Sequence, residues 1–304
     1  MSAIKILVTG CFGLYGYEIC NTLKNEYEVV GLYNVSHLNS NFRSIKVDIT
    51  DSDLLSKIIF EEHPDFIIHA ASISNPQRAD SIASKIVYKT NVTATENLAS
   101  YANKINARLI YISTDLVYAG YRGSFLSETS KLIPVSLYAE TKLMAEEKIK
   151  EISNNYTILR NSLMFGLYKY ENNNFFNQIY HNILNGKRIK LFNDQYRTPL
   201  SFTEASYMLK ELIKTIIDNN NILHNEIANF GGRERVSRTD LGYLLSDFMK
   251  LDNSLIDSIS INEMSNIPIV ADVSMNTEKI GNLGIKAKSI NEMLKLEIEK
   301  LKNC

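Results

Sequence analysis

The 304-residue sequence has no tryptophan and only three cysteines. Cys11, Cys20 and Cys304 are too few and too scattered for a disulfide framework or a zinc site, so a reducing cytoplasm is the expected setting and no metal is expected. Neither sign of charge dominates: 33 Lys and Arg stand against 34 Asp and Glu, a formal net charge of -1. That balance argues against nucleic acid or an anionic membrane as a bulk partner, while a local basic pocket stays open. No run approaches the roughly 18 apolar residues of a membrane-spanning helix. A strand-like run begins at Ile4 with no basic segment and apolar stretch before it, so no export signal is read. With 45% hydrophobic and 22% charged residues, the composition is that of a soluble globular protein large enough for one big or two modest domains.

Against these absences stands a regular alternation. IKILV (Ile4–Val8), EVVGLY (Glu28–Tyr33), FIIH (Phe66–His69) and RLIYIS (Arg108–Ser113) are short, continuously apolar runs, as expected of parallel strands buried on both faces. Leu14–Leu23, Asp53–Glu62 and Val87–Asn103 lie between them with helical periodicity, and TILR (Thr157–Arg160) reads as a further strand. Such alternation predicts an α/β fold, a Rossmann-type doubly wound parallel sheet over residues 1–165. Residues 166–304 read as a smaller α/β substrate-binding region, with a segment near 226–232 returning to the first sheet.

The first strand runs into VTGCFGLYG, which places Gly10, Gly13 and Gly16 ahead of a helical stripe of Tyr15, Ile19 and Leu23. Glycines there let the backbone turn sharply and approach a pyrophosphate, whose charge the free N–H groups of the helix start favour. A tight turn without ligand would use the same residues, but their place after the first buried strand of a βαβ unit favours a dinucleotide. An acid that binds the ribose diol would fall about 20 residues on. Asn34 stands near that position, and nothing from Val29 to Val47 is acidic. The missing carboxylate predicts NADP, with NAD left open; His37 and Arg43 are the nearby cations. Asp48, in KVDIT, is read either as an acceptor for the adenine amino group or as the cap of the next helix.

YISTD sets Ser113, Thr114 and Asp115 at the carboxyl end of a strand, the edge where open α/β sheets bind ligands. Tyr138 and Lys142 follow in VSLYAETKLMAEEK, four residues apart and so on one helix face. Carbonyl reduction needs a hydride and a proton for the developing alkoxide. A phenol ionises near pH 10, and a nearby ammonium is expected to bring it down by roughly 1–3 units, closer to what a general acid needs. Thr114 would orient the substrate oxygen and Lys142 would reach the nicotinamide ribose.

GxxGxxG, DIT, HAAS, KTNVTATENL, ISTDLVYAG, YAETK and ILRNSLMFG, in this order, resemble the extended short-chain dehydrogenase/reductase superfamily, nearest the dTDP-4-dehydrorhamnose reductase group. The likeness covers the first 170 residues well and thins beyond them to DQYRTPLSFTEAS and NFGG. It implies that Gly13, Leu14 and Tyr15 line the pyrophosphate, that Asp48 and Ile49 meet the adenine, and that Ala71, Ser72 and Ile73 run beside the cofactor. It further implies Thr114, Tyr138 and Lys142 as the catalytic triad, with Asp115 next to the sugar. The implied activity is NADPH-dependent reduction of the 4-keto group of a nucleotide-linked 6-deoxyhexose, for polysaccharide or deoxysugar biosynthesis; a homodimer is left open. Leu116 stands where the family usually has tyrosine, and Leu163 where it tends to carry tryptophan; both changes touch the substrate side.

Arg197 is read either as a clamp for the nucleotide diphosphate, whose geometry a guanidinium matches, or as a surface ion pair; Arg188 and Arg233 are weaker candidates for the clamp. Glu128 reads as a loop or helix cap and His69 as a satisfied core histidine. Two rivals remain: a nucleotide-sugar epimerase or dehydratase on the same scaffold, and a non-catalytic NADP-binding regulatory subunit. The lack of a second acid at Leu116 counts against dehydration, and the intact Tyr138 and Lys142 count against the subunit.

Overall fold

The computed structural model describes residues 3–35, 40–74, 76–121, 123–169, 174–264 and 270–303. The early apolar runs form β1 (Lys5–Thr9), β2 (Glu28–Tyr33), β3 (Arg43–Lys46), β4 (Phe66–His69), β5 (Arg108–Thr114) and β6 (Tyr156–Asn161). Later strands are β7 (Met164–Phe165), β8 (Ile189–Phe192), β9 (Tyr196–Arg197), β10 (Leu200–Ser201), β11 (Glu226–Phe230), β12 (Val236–Ser237) and β13 (Ile256–Ile259). One seven-stranded sheet takes the order β11-β6-β5-β4-β1-β2-β3, and the ladders from β3 through β5 are all parallel. Strand order reverses between β1 and β4, the switch point at which doubly wound sheets bind ligands.

Helices α1 (Leu14–Leu23), α2 (Ser52–Glu62), α3 (Pro76–Ser81), α4 (Ser84–Tyr88), α5 (Ala94–Lys104) and α6 (Leu137–Ile152) connect these strands. Farther on come α7 (Phe175–Leu184), α8 (Phe202–Asp218), α9 (Arg238–Met249), α10 (Glu278–Gly281) and α11 (Ile290–Asn303). The run expected as one helix from Val87 to Asn103 is broken by a π turn at Lys89–Thr93 between α4 and α5. Its buried Asn91 accepts from the Ile73 N–H (2.8 Å) and donates to the Ile73 carbonyl (3.2 Å) and the Thr141 hydroxyl (3.1 Å). Those tertiary bonds satisfy Asn91 in a turn that helical periodicity alone does not distinguish from an α-helix.

Two compact units divide the chain, and not by a single cut. The first comprises Met1–Val117, Pro134–Arg160 and Leu209–Ala228; the second comprises Tyr118–Ile133, Asn161–Met208 and Asn229–Cys304. In the first, Leu7, Leu32, Ile67, Leu109 and Ile158 from the sheet pack with Leu55, Ile59, Leu98, Ala102 and Ile149 from the helices. Each large aliphatic so buried contributes about 1.5–3 kcal/mol. Arg108, almost fully buried, clips residues 219–225 to this unit: it donates to the Ile222 carbonyl (2.7 Å), the Asn220 carbonyl (3.3 Å), Asn155 Oδ1 (3.1 Å) and Thr157 Oγ1 (3.0 Å). In the second unit, β7–β10, β9–β12 and β8–β13 make three small two-stranded sheets.

Candidate active site

The glycine turn is built by close approach. Gly10 has φ +70, a conformation that favours glycine, and a Cβ on it would sit 2.9 Å from the Ala71 Cα. A Cβ on Gly16 would lie 2.1 Å from the Gly10 carbonyl oxygen, so α1 can pack on the turn only without that methyl. Gly13 caps α1 in extended conformation, offers no side-chain cap, and no acid stands in the first helical turn. A turn that leaves no room for side chains, at a helix N-terminus with no side-chain cap, fits the pyrophosphate of a dinucleotide.

Asn34, exposed beyond β2, hydrogen-bonds Asp48, and Asp48 also accepts from the Thr50 N–H at 2.9 Å. Burial raises the Asp48 carboxyl, but the bonds from Thr50 and Asn34 outweigh it and hold the group below the usual range. The helix-cap alternative for Asp48 is corrected: α2 is capped by Asp51, which accepts from the Leu54 N–H at 3.0 Å. Ile49 packs into the core cluster. Arg43, exposed, has its fork held by Glu62 at 2.6 and 2.7 Å. His37 lies outside the described residues. Ala71 donates its N–H to Thr9 Oγ1 (3.1 Å); Ala71, Ser72 and Ile73 are half-buried beyond β4.

Ser136 starts α6 by accepting from the Ala139 N–H, which puts Tyr138 in the first turn and Lys142 one turn on. Both are buried, Lys142 at 2% exposure. Tyr138 hydrogen-bonds Thr114, which stands at the end of β5 and also donates to Asp115 Oδ1 at 3.3 Å. The structure thus brings Thr114, Asp115, Tyr138 and Lys142 into one buried group. The expected lowering of the phenol by Lys142 is not what the protein's own groups produce. Burial pushes Tyr138 up, the Thr114 bond lowers it, and the Asp115 charge raises it. The Lys142 ammonium lies instead 4.0 Å over the Tyr111 ring, and burial brings it down to about 7 against an upward pull from Glu146.

His69 is a satisfied core histidine: Nδ1 meets Thr9 Oγ1 at 2.7 Å and Nε2 meets Thr95 Oγ1 at 2.9 Å. Burial, then the Lys142 charge, bring it down to about 3, so it is neutral at physiological pH. Glu146, one turn past Lys142, is held by Arg160 and Ser113; neither Glu146 nor Arg160 was a candidate from sequence. The signal was present in the stretch that carries Tyr138 and Lys142, because Glu146 continues the same four-residue spacing.

Leu163 and Arg197 belong to the second unit. Leu163 is half-buried, and its carbonyl accepts from Leu200 at 3.0 Å. Arg197 is buried and its guanidinium donates to the Tyr196 carbonyl at 2.6 Å and the Val270 carbonyl at 3.2 Å, partners that hold the fork within its own unit. Arg188 is a surface residue ion-paired with Asp257 at 2.5 Å. Arg233 lies 3.9 Å from Glu292, and Glu128 accepts from the Asn229 N–H at 2.9 Å. Among the described residues no group of three or more His, Cys, Asp or Glu is placed to hold a metal ion, and no helix is long and apolar enough to cross a membrane.

A doubly wound sheet with a glycine turn at its switch point, and a Thr–Tyr–Lys group at the neighbouring strand edge, defines a Rossmann-type protein of the short-chain dehydrogenase/reductase class. Within that class, the chain belongs to the family described as the RmlD substrate binding domain, whose model matches residues 4–303. A dTDP-4-dehydrorhamnose reductase of Aggregatibacter actinomycetemcomitans is 26% identical over 266 residues, 88% of this chain and 83% of that protein. The methionine adenosyltransferase 2 subunit beta of Xenopus laevis is 24% identical over 283 residues, 92% of this chain and 83% of that protein. The crystal structure of dTDP-4-dehydrorhamnose reductase from Bacillus anthracis in complex with NADP has the same fold, with TM-score 0.84 at 21% identity, over 98% of this chain and 99% of that one.

Proposed function

We propose that the protein is an NADPH-dependent reductase of the 4-keto group of a nucleotide-linked 6-deoxyhexose. The observation that carries the reading is the buried hydrogen bond of Tyr138 to Thr114, with Lys142 one helical turn away on the same face. NADPH, when bound at the glycine turn, supplies the hydride for the carbonyl carbon. The chain's own work is the rest. Thr114 gives the ketone oxygen a hydrogen bond, Tyr138 delivers a proton to that oxygen as the alcohol forms, and Lys142 holds a positive charge behind the phenol. Residues Gly10, Gly13, Leu14 and Tyr15 would hold the pyrophosphate, and Asn34, Asp48 and Ile49 the adenosine end.

Leu116 supports reduction over dehydration, because it packs with Val87 and Tyr138 in an apolar cluster where elimination would want a second acid. We assign substrate selection to the second unit, with Leu163 among its determinants; Arg197 would serve by shaping the loop that it braces. The reading also includes work in the cytoplasm, with a homodimer as an oligomer to be checked by sedimentation. A subunit that binds cofactor without turnover is the second reading, favoured by the likeness to a subunit of another enzyme. The assembled Thr114, Tyr138 and Lys142 weigh against it.

The test is NADPH oxidation followed against a panel of dTDP-, UDP-, GDP- and CDP-linked 4-keto sugars. One of them should be reduced, and Tyr138→Phe should lower kcat by about 10²–10⁴-fold, the usual contribution of a general acid, with NADPH affinity unchanged. No oxidation with any sugar, or retention of more than about a tenth of the rate in the variant, would overturn the proposal.

A further inference from the structure

The buried face of α6 carries a third charged group beyond Tyr138 and Lys142. Glu146 lies one turn past Lys142 and is 0% exposed. Arg160, from β6 and 1% exposed, donates from its Nε to both carboxylate oxygens (3.1 and 3.2 Å) and from a terminal nitrogen to Oε2 at 2.7 Å. Ser113 Oγ, from β5, donates to Oε1 at 2.5 Å. A buried ion pair seldom adds net stability, since apolar residues of the same volume usually serve the core as well. Its place one turn past Lys142, on the same buried helix face, therefore asks for another reason.

We propose that Glu146, fixed by Arg160 and Ser113, is a positioning residue that keeps the Lys142 ammonium protonated behind Tyr138 and so sets the upper pH limit of the site. The inference rests on the reading that Lys142 serves the reaction. The groups that face Lys142 can be named element by element. Tyr111 of β5 presents its ring, and His69 of β4 stands neutral; Tyr138 and Glu146 share α6, while Asp115 acts on Tyr138. Glu146 is the anion that raises Lys142 against burial, which alone draws it toward neutrality. Removing the Glu146 carboxylate alone takes away the ion-pair partner of the buried Arg160.

The test uses full-length protein labelled with ¹³C at lysine Cε, with the Lys142 resonance assigned by its absence in Lys142→Met. In the native protein it should titrate at about 7. Glu146→Gln should lower that midpoint by roughly 1–3 units, the effect of losing one close opposite charge. The double variant Glu146→Gln/Arg160→Met removes both members of the ion pair together and protects folding; its midpoint should fall between the two. The alkaline limb of kcat/KM should move with the Lys142 midpoint, which a merely structural role would not cause. A native midpoint in either variant overturns the inference, as does a shifted midpoint with an unmoved alkaline limb. Failure to find any turnover would count against the reductase reading, while the Lys142 titration would still decide whether Glu146 holds the proton on that lysine.

Discussion

Gly16→Ala tests whether the glycine turn serves a cofactor or only the fold. The added methyl would sit 2.1 Å from the Gly10 carbonyl oxygen, 2.8 Å from its carbon and 3.1 Å from the Cys11 Cα. Backbone atoms are on both sides, so relief requires α1 to retreat by about 1 Å to reach ordinary contact. The stability change is modest: overpacking costs about 1–3 kcal/mol, and alanine in a helix returns about 0.5–1 kcal/mol. Binding suffers more. A retreat of that size takes the Leu14 and Tyr15 N–H groups out of hydrogen-bonding range of a pyrophosphate. Each charge-assisted bond is worth about 1.5–3 kcal/mol, so losing two weakens NADPH by at least about a hundredfold. Fluorescence titration of NADPH and thermal unfolding, run on the same variant, separate the two effects. Gly281→Ala, where the nearest atoms to a new Cβ are 4.0 Å away, is the control and should leave NADPH affinity unchanged. A Gly16→Ala dissociation constant within about threefold of native, less than 1 kcal/mol, would remove this turn from the cofactor site.

Two further outcomes follow from buried groups. His69 has its folded pKa lowered from 6.5 to about 3, so the unfolded chain takes up the proton first as pH falls. Stability from this group is therefore complete above about 6.5 and is lost down to about 3, at up to roughly 1.4 kcal/mol per pH unit. Urea unfolding of His69→Gln between those limits should show a slope shallower by about one proton than the native chain; equal slopes would refute the assignment. Arg108→Met would strand the carbonyls of Asn220 and Ile222, and should lower stability by about 2–4 kcal/mol after the relief of a buried cation. Amide exchange should quicken first at Asn225, whose N–H bonds the Tyr156 carbonyl; protection there equal to native would overturn the clip.

What the sequence disclosed and what it hid have separate physical causes. α1, β2 and β4 were legible to the residue, because a glycine turn, a continuous apolar run and a helical stripe are local patterns. The two-residue strands β7, β9, β10 and β12 are too short to hold a period. Tyr138 and Lys142 were legible because four-residue spacing on a helix fixes a shared face. Glu146 obeys the same spacing yet reads as solvated, since glutamate on a helix usually is. Only Arg160, fourteen residues on, and Ser113, thirty-three back, make its burial tenable. What the sequence did not show for Arg197 is its burial, with bonds to the Tyr196 carbonyl next to it and to the Val270 carbonyl 73 residues on.

The direction of the Tyr138 shift bears on which chemistry this face is set for. A reductase must begin its cycle with the phenol protonated, because that proton ends on the product hydroxyl. An epimerase begins by taking a proton from a sugar hydroxyl, and so wants the same group as phenolate. Here burial and the Asp115 carboxylate both favour the protonated form, with the Thr114 bond working against them. Thr114 has one proton to give, and Asp115 competes for it at 3.3 Å, which weakens that opposing influence further. The Lys142 ammonium lies over the Tyr111 ring and is not among the groups that shift Tyr138. Taken with the apolar Leu116 beside Tyr138, the electrostatics of the group favour donation of a proton over its abstraction, and therefore reduction over the epimerase alternative.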